Sequence, residues 1–159
     1  MKKKERNYKQ NPLVSIITVV KNNEKYLEET IQSVKNQSYN NFEYIVLDGN
    51  STDRSLDIIK KYDSVIDFWL SEEDKGIYDA FNKGLSLARG KFIVFVNSDD
   101  ILLKDATKML KKYDEKYPNI DFLFGSVKKH WGILWGYRPW KLFYTWGFYS
   151  SHSTGFYVK

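Results

Sequence analysis

The sequence predicts an α/β fold: a mostly parallel sheet with helices on both faces. Three observations carry that expectation. Apolar, β-branched runs of strand length recur at Leu13–Val20, Phe42–Leu47 and Lys91–Val96. Segments with apolar residues at helical spacing separate them, the alternation that βαβ units produce. The runs are apolar on both faces, as strands buried between two helical layers are.

The elements follow in order. Residues 1–11 read as a disordered or loosely held basic leader: Lys2, Lys3, Lys4, Arg6 and Lys9 stand against Glu5, and no apolar region follows to make a signal peptide. Leu13–Val20 is the first strand. Asn22 or Asn23 can cap a helix from Glu24 to about Lys35, with Leu27, Ile31 and Val34 on one face. Phe42–Leu47 is the second strand and ends in Asp48. In the loop that follows, Ser51 or Asp53 can cap a helix reaching about Lys61. Val65–Leu70 is a short third strand. Ile77, Ala80, Phe81, Gly84 and Ala88 recur at helical spacing, so residues 77–89 form a helix closed by Arg89-Gly90. The strand Lys91–Val96 then runs into Asn97-Ser98-Asp99-Asp100. Ala106, Met109, Leu110, Tyr113 and Tyr117 mark another helix, stopped at Pro118, and Ile120–Phe124 is a further strand.

The core therefore occupies residues 12–126. Residues 127–159 differ in texture. They hold four of the five tryptophans (Trp131, Trp135, Trp140 and Trp146) and Lys128, Lys129, Arg138, Lys141 and Lys159, with no acidic residue after Asp121. Two readings stand: a surface for sugar rings or lipid headgroups, or a hairpin or irregular layer covering the sheet edge.

Composition excludes several classes. With no cysteine, there is no disulfide framework and no thiolate chemistry, which fits a cytoplasmic setting. No apolar run approaches the ~18 residues of a membrane span. The net charge of +5 sits on the two flanks, which read as solvated faces or as surfaces for anionic lipid at the inner membrane face, nucleic acid or a phosphorylated substrate. No nucleic-acid-binding module is recognisable. There is no G-x-G-x-x-G after the first strand, no G-x-x-x-x-G-K-[ST] and no G-x-S-x-G. His130 and His152 are not at zinc spacing.

What remains is a sheet edge. Ligands of open α/β sheets bind beyond the carboxyl ends of the strands, and Asp48 and Asp99-Asp100 share that edge. Adjacent carboxylates repel each other. They either serve a divalent cation as hard oxygen ligands, with open positions for phosphates, or form a turn in which Ser98 or Asp100 caps the next helix.

Four blocks in order resemble family 2 glycosyltransferases of the GT-A fold, such as those of bacterial surface-polysaccharide assembly. They are Val14-Ser15-Ile16-Ile17-Thr18-Val19-Val20-Lys21-Asn22-Asn23, Val46-Leu47-Asp48-Gly49-Asn50-Ser51-Thr52-Asp53, Glu73-Asp74-Lys75-Gly76-Ile77-Tyr78-Asp79-Ala80-Phe81-Asn82-Lys83-Gly84 and Asn97-Ser98-Asp99-Asp100. The resemblance implies a Rossmann-like sheet that binds a nucleotide-diphospho-sugar, usually UDP-linked. Val19 to Lys21 and Asn22 would line the base and ribose pocket, and Asp48 would hydrogen-bond the base or ribose. Lys75, Asp79 and Asn82 would lie near the diphosphate or donor sugar, with Lys75 as phosphate partner. Asp100 would ligate Mn2+ or Mg2+, and Asp99 would share the metal or hold the ribose. The acceptor would be a glycan or a lipid-linked acceptor, with residues 127–159 as the start of the acceptor-side region, and the sugar would be transferred with inversion.

The chain departs from the family at two positions. Lys21 stands where many members carry an aromatic that stacks on the base, so the stack is lost or replaced. Gly49 stands where many carry a second Asp, which leaves base recognition to Asp48 alone. The family's general base follows the stretch resembled by Ser151–Tyr157, where His152 has a structural or acceptor-side place, and no acidic candidate for it exists here. The expectation is a truncated transferase with its donor half present. A non-catalytic nucleotide-sugar-binding domain and a sugar nucleotidyltransferase are the alternatives.

Overall fold

The computed structural model describes residues 2–5 and 11–119 in full, and four later strands by their backbone course. In chain order the elements are β1 (Lys2–Lys3), β2 (Val14–Val20), α1 (Leu27–Lys35), β3 (Phe42–Asp48), α2 (Ser55–Lys61), β4 (Phe68–Ser71), α3 (Ile77–Leu87), β5 (Phe92–Phe95), α4 (Ala106–Lys116), β6 (Phe122–Phe124), β7 (Val127–Lys129), β8 (Gly132–Leu134) and β9 (Gly155–Val158).

One sheet runs β1-β4-β3-β2-β5-β9-β6. Its centre, β4-β3-β2-β5, is parallel as the sequence predicts. Its edges are antiparallel: β1 on β4, and β9 between β5 and β6. The Ile120–Phe124 run thus gives a strand that reaches the sheet only through β9. β7 and β8 form a separate antiparallel hairpin in the aromatic segment, whose tryptophans and histidines lie outside the described residues.

Every residue of β2 and β3 is buried, and successive side chains go to opposite faces. Val14, Ile16, Val20, Tyr44 and Val46 join one core cluster with Leu27, Ile31 and Val34 of α1, Ile59 of α2 and Leu110 of α4. Ile17, Val19, Ile45 and Leu47 join the other with Ala80 of α3. Gly84 lets α3 approach: a Cβ there would lie 2.8 Å from Ile17 Cγ2. Polar residues inside the strands are paired. Thr18 and Tyr44 share a 3.1 Å hydroxyl contact, and burial raises the Tyr44 phenol pKa so that it stays protonated. Ser15 Oγ donates to the buried Glu43 carboxylate, which also accepts from the Arg89 backbone N–H and pairs with the Arg89 guanidinium. This clasp ties the turn after α3 to the amino ends of β2 and β3.

The structure differs from the sequence expectation in three places. The leader is not wholly loose, because Lys2–Lys3 pair with Leu70 and Ser71. The Lys4 ammonium donates to the Ile66 and Asp63 carbonyls and pairs with the Asp63 carboxylate. A charged two-residue strand is a common way to close a sheet edge. Helix α1 begins at Leu27, three residues beyond the expected start, because residues 24–26 turn with the Tyr26 and Leu27 amides on the Asn23 carbonyl. Finally, β4 begins only at Phe68: the Val65 and Ile66 amides close the end of α2 on the Tyr62 carbonyl.

Candidate functional site

Register places the site. Val20 of β2 is level with Asp48 of β3, and Asp48 is level with Ser71 of β4. The loops after β2, β3, β4 and β5 therefore open along one edge. Short polar side chains lace three of them together. Asn22 and Asn50 take left-handed backbone conformations (φ 52° and 58°), which Asn tolerates better than most residues. The Asn22 amide donates to Ser51 Oγ at 2.8 Å, and its carboxamide oxygen accepts from the Thr52 amide at 2.8 Å. Asp53 accepts from the Glu24 and Ser55 amides, which lowers its pKa despite partial desolvation, while Glu24 accepts from the Arg54 amide. Asn23 Nδ2 donates to Ser98 Oγ at 2.8 Å, joining the β2 loop to the β5 loop. Thr30 of α1 donates to the Asp100 carbonyl, and the Leu102 amide donates to Ser33. The edge is preorganised by groups that keep its backbone amides satisfied.

Asp48 organises this edge. It is 2% exposed. Its Oδ2 accepts from Ser71 Oγ at 2.7 Å, and its Oδ1 accepts from the Ser51 amide at 3.2 Å and from Ser51 Oγ. Asp48→Ala strips three donors of their acceptor. It is expected to cost about 2–3 kcal/mol, read by urea unfolding. A cost below about 1 kcal/mol would show that these bonds do not hold the loop.

Asp99 and Asp100 lie beyond β5 in the turn Asn97–Asp100. Asp99 is exposed, and Asp100 Oδ2 accepts from the Asn97 amide and from Asn97 Nδ2, each at 3.2 Å. Helix α4 starts at Ala106 with Asp105 as its N-cap residue, so neither Ser98 nor Asp100 caps it. Among the described residues no group of three or more His, Cys, Asp or Glu side chains could hold a metal. The pair offers two hard-oxygen donors, which would suit Mg2+ or Mn2+ only if other oxygens completed the shell. Asn97 Oδ1 is buried beside them without a hydrogen-bond donor among the described residues.

At the start of α3, Gly76 adopts φ 110° and leads into Ile77–Leu87. Asp79 accepts from the Lys75 amide and pairs with Lys83 at 3.2 Å, and both contacts hold its carboxyl below the usual range. Lys83 is held chiefly by Glu72 at 2.9 Å, with its pKa raised. Lys83 is therefore neutralised by two carboxylates, whereas the exposed Lys75 makes no ion pair among the described residues. Asn82 is exposed on the same helix. Sequence reading missed Lys83 and Glu72, although the i,i+4 spacing of Asp79 and Lys83 was a signal. Val19, 8% exposed, packs into the core beneath the edge.

Comparison with known proteins decides the family. A model of glycosyl transferase family 2 matches residues 15–156. The chain belongs to that family. An uncharacterized glycosyltransferase of Methanocaldococcus jannaschii is 37% identical over 136 residues, 80% of this chain and 47% of that protein. A PGL/p-HBAD biosynthesis glycosyltransferase of Mycobacterium bovis is 30% identical over 130 residues, 79% of this chain and 51% of that protein. The family 2 chain thus spans about half the length of these curated relatives. Among solved structures, S. aureus TarS 1-349 in complex with UDP-GlcNAc has a TM-score of 0.61 at 31% identity, covering 66% of this chain and 32% of that one. The mannosyltransferase PcManGT from Pyrobaculum calidifontis, in complex with GDP-Man and Mn2+, has a TM-score of 0.63 at 21% identity, covering 76% and 36%, a likeness of fold. The architecture is the GT-A fold.

In this family 2 chain the two departures, Lys21 and Gly49, meet in space. A Cβ on Gly49 would lie 3.1 Å from Asp74 Cγ, closer still to Asp74 Oδ2, and 3.3 Å from Lys21 Cδ. The Lys21 ammonium is 4.0 Å from Asp74 Oδ1, with side chains 55% and 10% exposed respectively.

Proposed function

We propose that the chain is the donor-binding part of a glycosyltransferase that moves a sugar from a UDP-linked donor to a glycan or lipid-linked acceptor, with inversion and with a divalent metal. The observation that carries this reading is the Asn97–Asp100 turn: two carboxylates at the carboxyl edge of the parallel strands, locked to the β2 loop by Asn23–Ser98 and to α1 by Thr30. The complex of the similar S. aureus TarS 1-349 with UDP-GlcNAc supports the substrate class.

Asp100, with Asp99, would hold Mn2+ or Mg2+, which when bound supplies Lewis-acid stabilisation of a departing diphosphate. The remaining roles belong to the chain's own groups. Lys75 brings an exposed ammonium to the same edge, where it can neutralise phosphate charge. Asp79 accepts the Lys75 amide hydrogen and so fixes the turn that presents it. Asn82 offers a carboxamide to the donor sugar. No general base is assigned. Among the described residues no helix is long and apolar enough to cross a membrane. The basic flanks support a peripheral place at the cytoplasmic face.

Titration calorimetry with UDP tests the reading. Binding is expected in Mn2+ and is expected to weaken at least tenfold in EDTA. Equal affinity in both would remove the metal from the account.

A further inference from the structure

Gly49 and Asp48 pose one problem together. Family resemblance assigns base or ribose contact to Asp48, yet its carboxylate is 2% exposed and already receives donors from Ser51 and Ser71. The adjacent position, Gly49, has no side chain. A nucleoside at this edge would meet no carboxylate from β3.

The loop after β4 supplies one. Asp74 reaches over Gly49 into the room that a side chain at 49 would fill. Its Oδ1 accepts from the Gly76 amide at 3.0 Å and faces the Lys21 ammonium at 4.0 Å. Its Oδ2, the atom against Gly49, accepts no hydrogen bond among the described residues. Gly49 itself is fixed by its amide on the Val20 carbonyl at 2.9 Å, so this oxygen lies across the carboxyl ends of β2 and β3. There a polar group meets a ligand rather than the core. Only glycine at 49 leaves the space.

We infer that Asp74, braced by Lys21 and admitted by Gly49, is the base-reading carboxylate of this chain, taking the contact that family resemblance gives to Asp48. The inference rests on the donor-binding reading above. A carboxylate oxygen with no partner accepts from a ring N–H. Uracil and guanine carry such a hydrogen on the ring nitrogen of their pairing edge, whereas cytosine and adenine present an unprotonated nitrogen there. A site built to accept a hydrogen bond discriminates against ligands that lack the donor, because its own polar group is then left unpaired. Lys21, in place of a stacking aromatic, faces this carboxylate at 4.0 Å.

The test is calorimetry on the full chain with UDP, GDP, CDP and ADP in Mn2+. Wild type is expected to favour UDP and GDP over CDP and ADP. Asp74→Ala is expected to lose about tenfold in UDP affinity and to flatten the ranking, at an unchanged melting temperature. Asp74→Asn keeps shape and the Gly76 contact, and should weaken UDP and flatten the ranking in the same direction if Asp74→Ala melts early. Gly49→Asp alone should lose binding through the clash, and Gly49→Asp with Asp74→Gly should regain it, because the carboxylate is restored from the neighbouring strand. Wild-type UDP binding with both Asp74 variants within twofold of it and the ranking intact overturns the inference and leaves the donor-binding reading standing. Wild type that binds none of the four nucleotides overturns both.

Discussion

A Gly90→Ala chain is expected to lose about 3 kcal/mol or more of stability, a large share of what a domain of this size has. The reason is room rather than backbone conformation. A Cβ at 90 would lie 2.6 Å from the Val14 carbonyl carbon and 2.9 Å from the Phe92 carbonyl oxygen, and closer still to the Ser15 amide nitrogen. All three are backbone atoms of β2 and β5, the strands that pair at Val14 and Phe92. No side chain can swing aside. Relief requires the pairing to open at its start, and with it the Ser15 hydroxyl that the Gly90 amide donates to at 2.7 Å. Gly76 is the contrasting case. Its φ is 110° but nothing lies within 4 Å of a Cβ there, so Gly76→Ala carries only a local conformational cost of about 1 kcal/mol. Thermal unfolding should show Gly90→Ala melting about 10 °C below wild type and Gly76→Ala only a few degrees below. Equal shifts would mean that α3 is not pinned to the sheet through Gly90.

The largest functional effect is expected at Asp100. Asp100→Asn keeps a carbonyl oxygen for the Asn97 amide, so its stability cost is about 1 kcal/mol or less. It removes the charge of a carboxylate expected to touch the metal. Groups that merely support metal ligands typically cost 10–100-fold in metal affinity when changed, so loss of a ligand is expected to cost about 100-fold or more. The Mn2+-dependent gain in UDP affinity should therefore vanish in Asp100→Asn, leaving the metal-free affinity. Asp99→Asn separates the two carboxylates: sharing the metal predicts the same loss, whereas holding the ribose predicts weaker UDP with its Mn2+ dependence kept. Both are read from one pair of titrations.

Much of the fold was legible because its signal is local. The mostly apolar, β-branched runs at 13–20 and 42–47 were strands buried on both faces, and their alternation with helical spacing gave the parallel centre. The placing of Asp48 and Asp99-Asp100 on one edge followed from strand direction alone. What was not legible depends on partners remote in sequence. Nothing in Lys2–Lys3 announces a strand, since the pairing comes from the exposed edge of β4. The insertion of β9 between β5 and β6 joins segments more than 30 residues apart through register, which composition does not encode. In the site, Asp48 is saturated by Ser71, 23 residues on, and no local pattern signals it. The room above Gly49 is filled by Asp74 for the same reason: a missing side chain is visible in sequence, but what enters its space is not.

The central claim is that the carboxyl edge holds a nucleotide-sugar and that Asp99-Asp100 meets the metal there. Its most direct test is a crystal structure of the full chain with a UDP-sugar and Mn2+, with the Mn2+ located by its anomalous signal. A Mn2+ peak is expected beside the Asp100 carboxylate, with the uracil lying over Gly49 beside Asp74. A nucleotide bound away from this edge, or a Mn2+ peak that touches neither Asp99 nor Asp100, would contradict it.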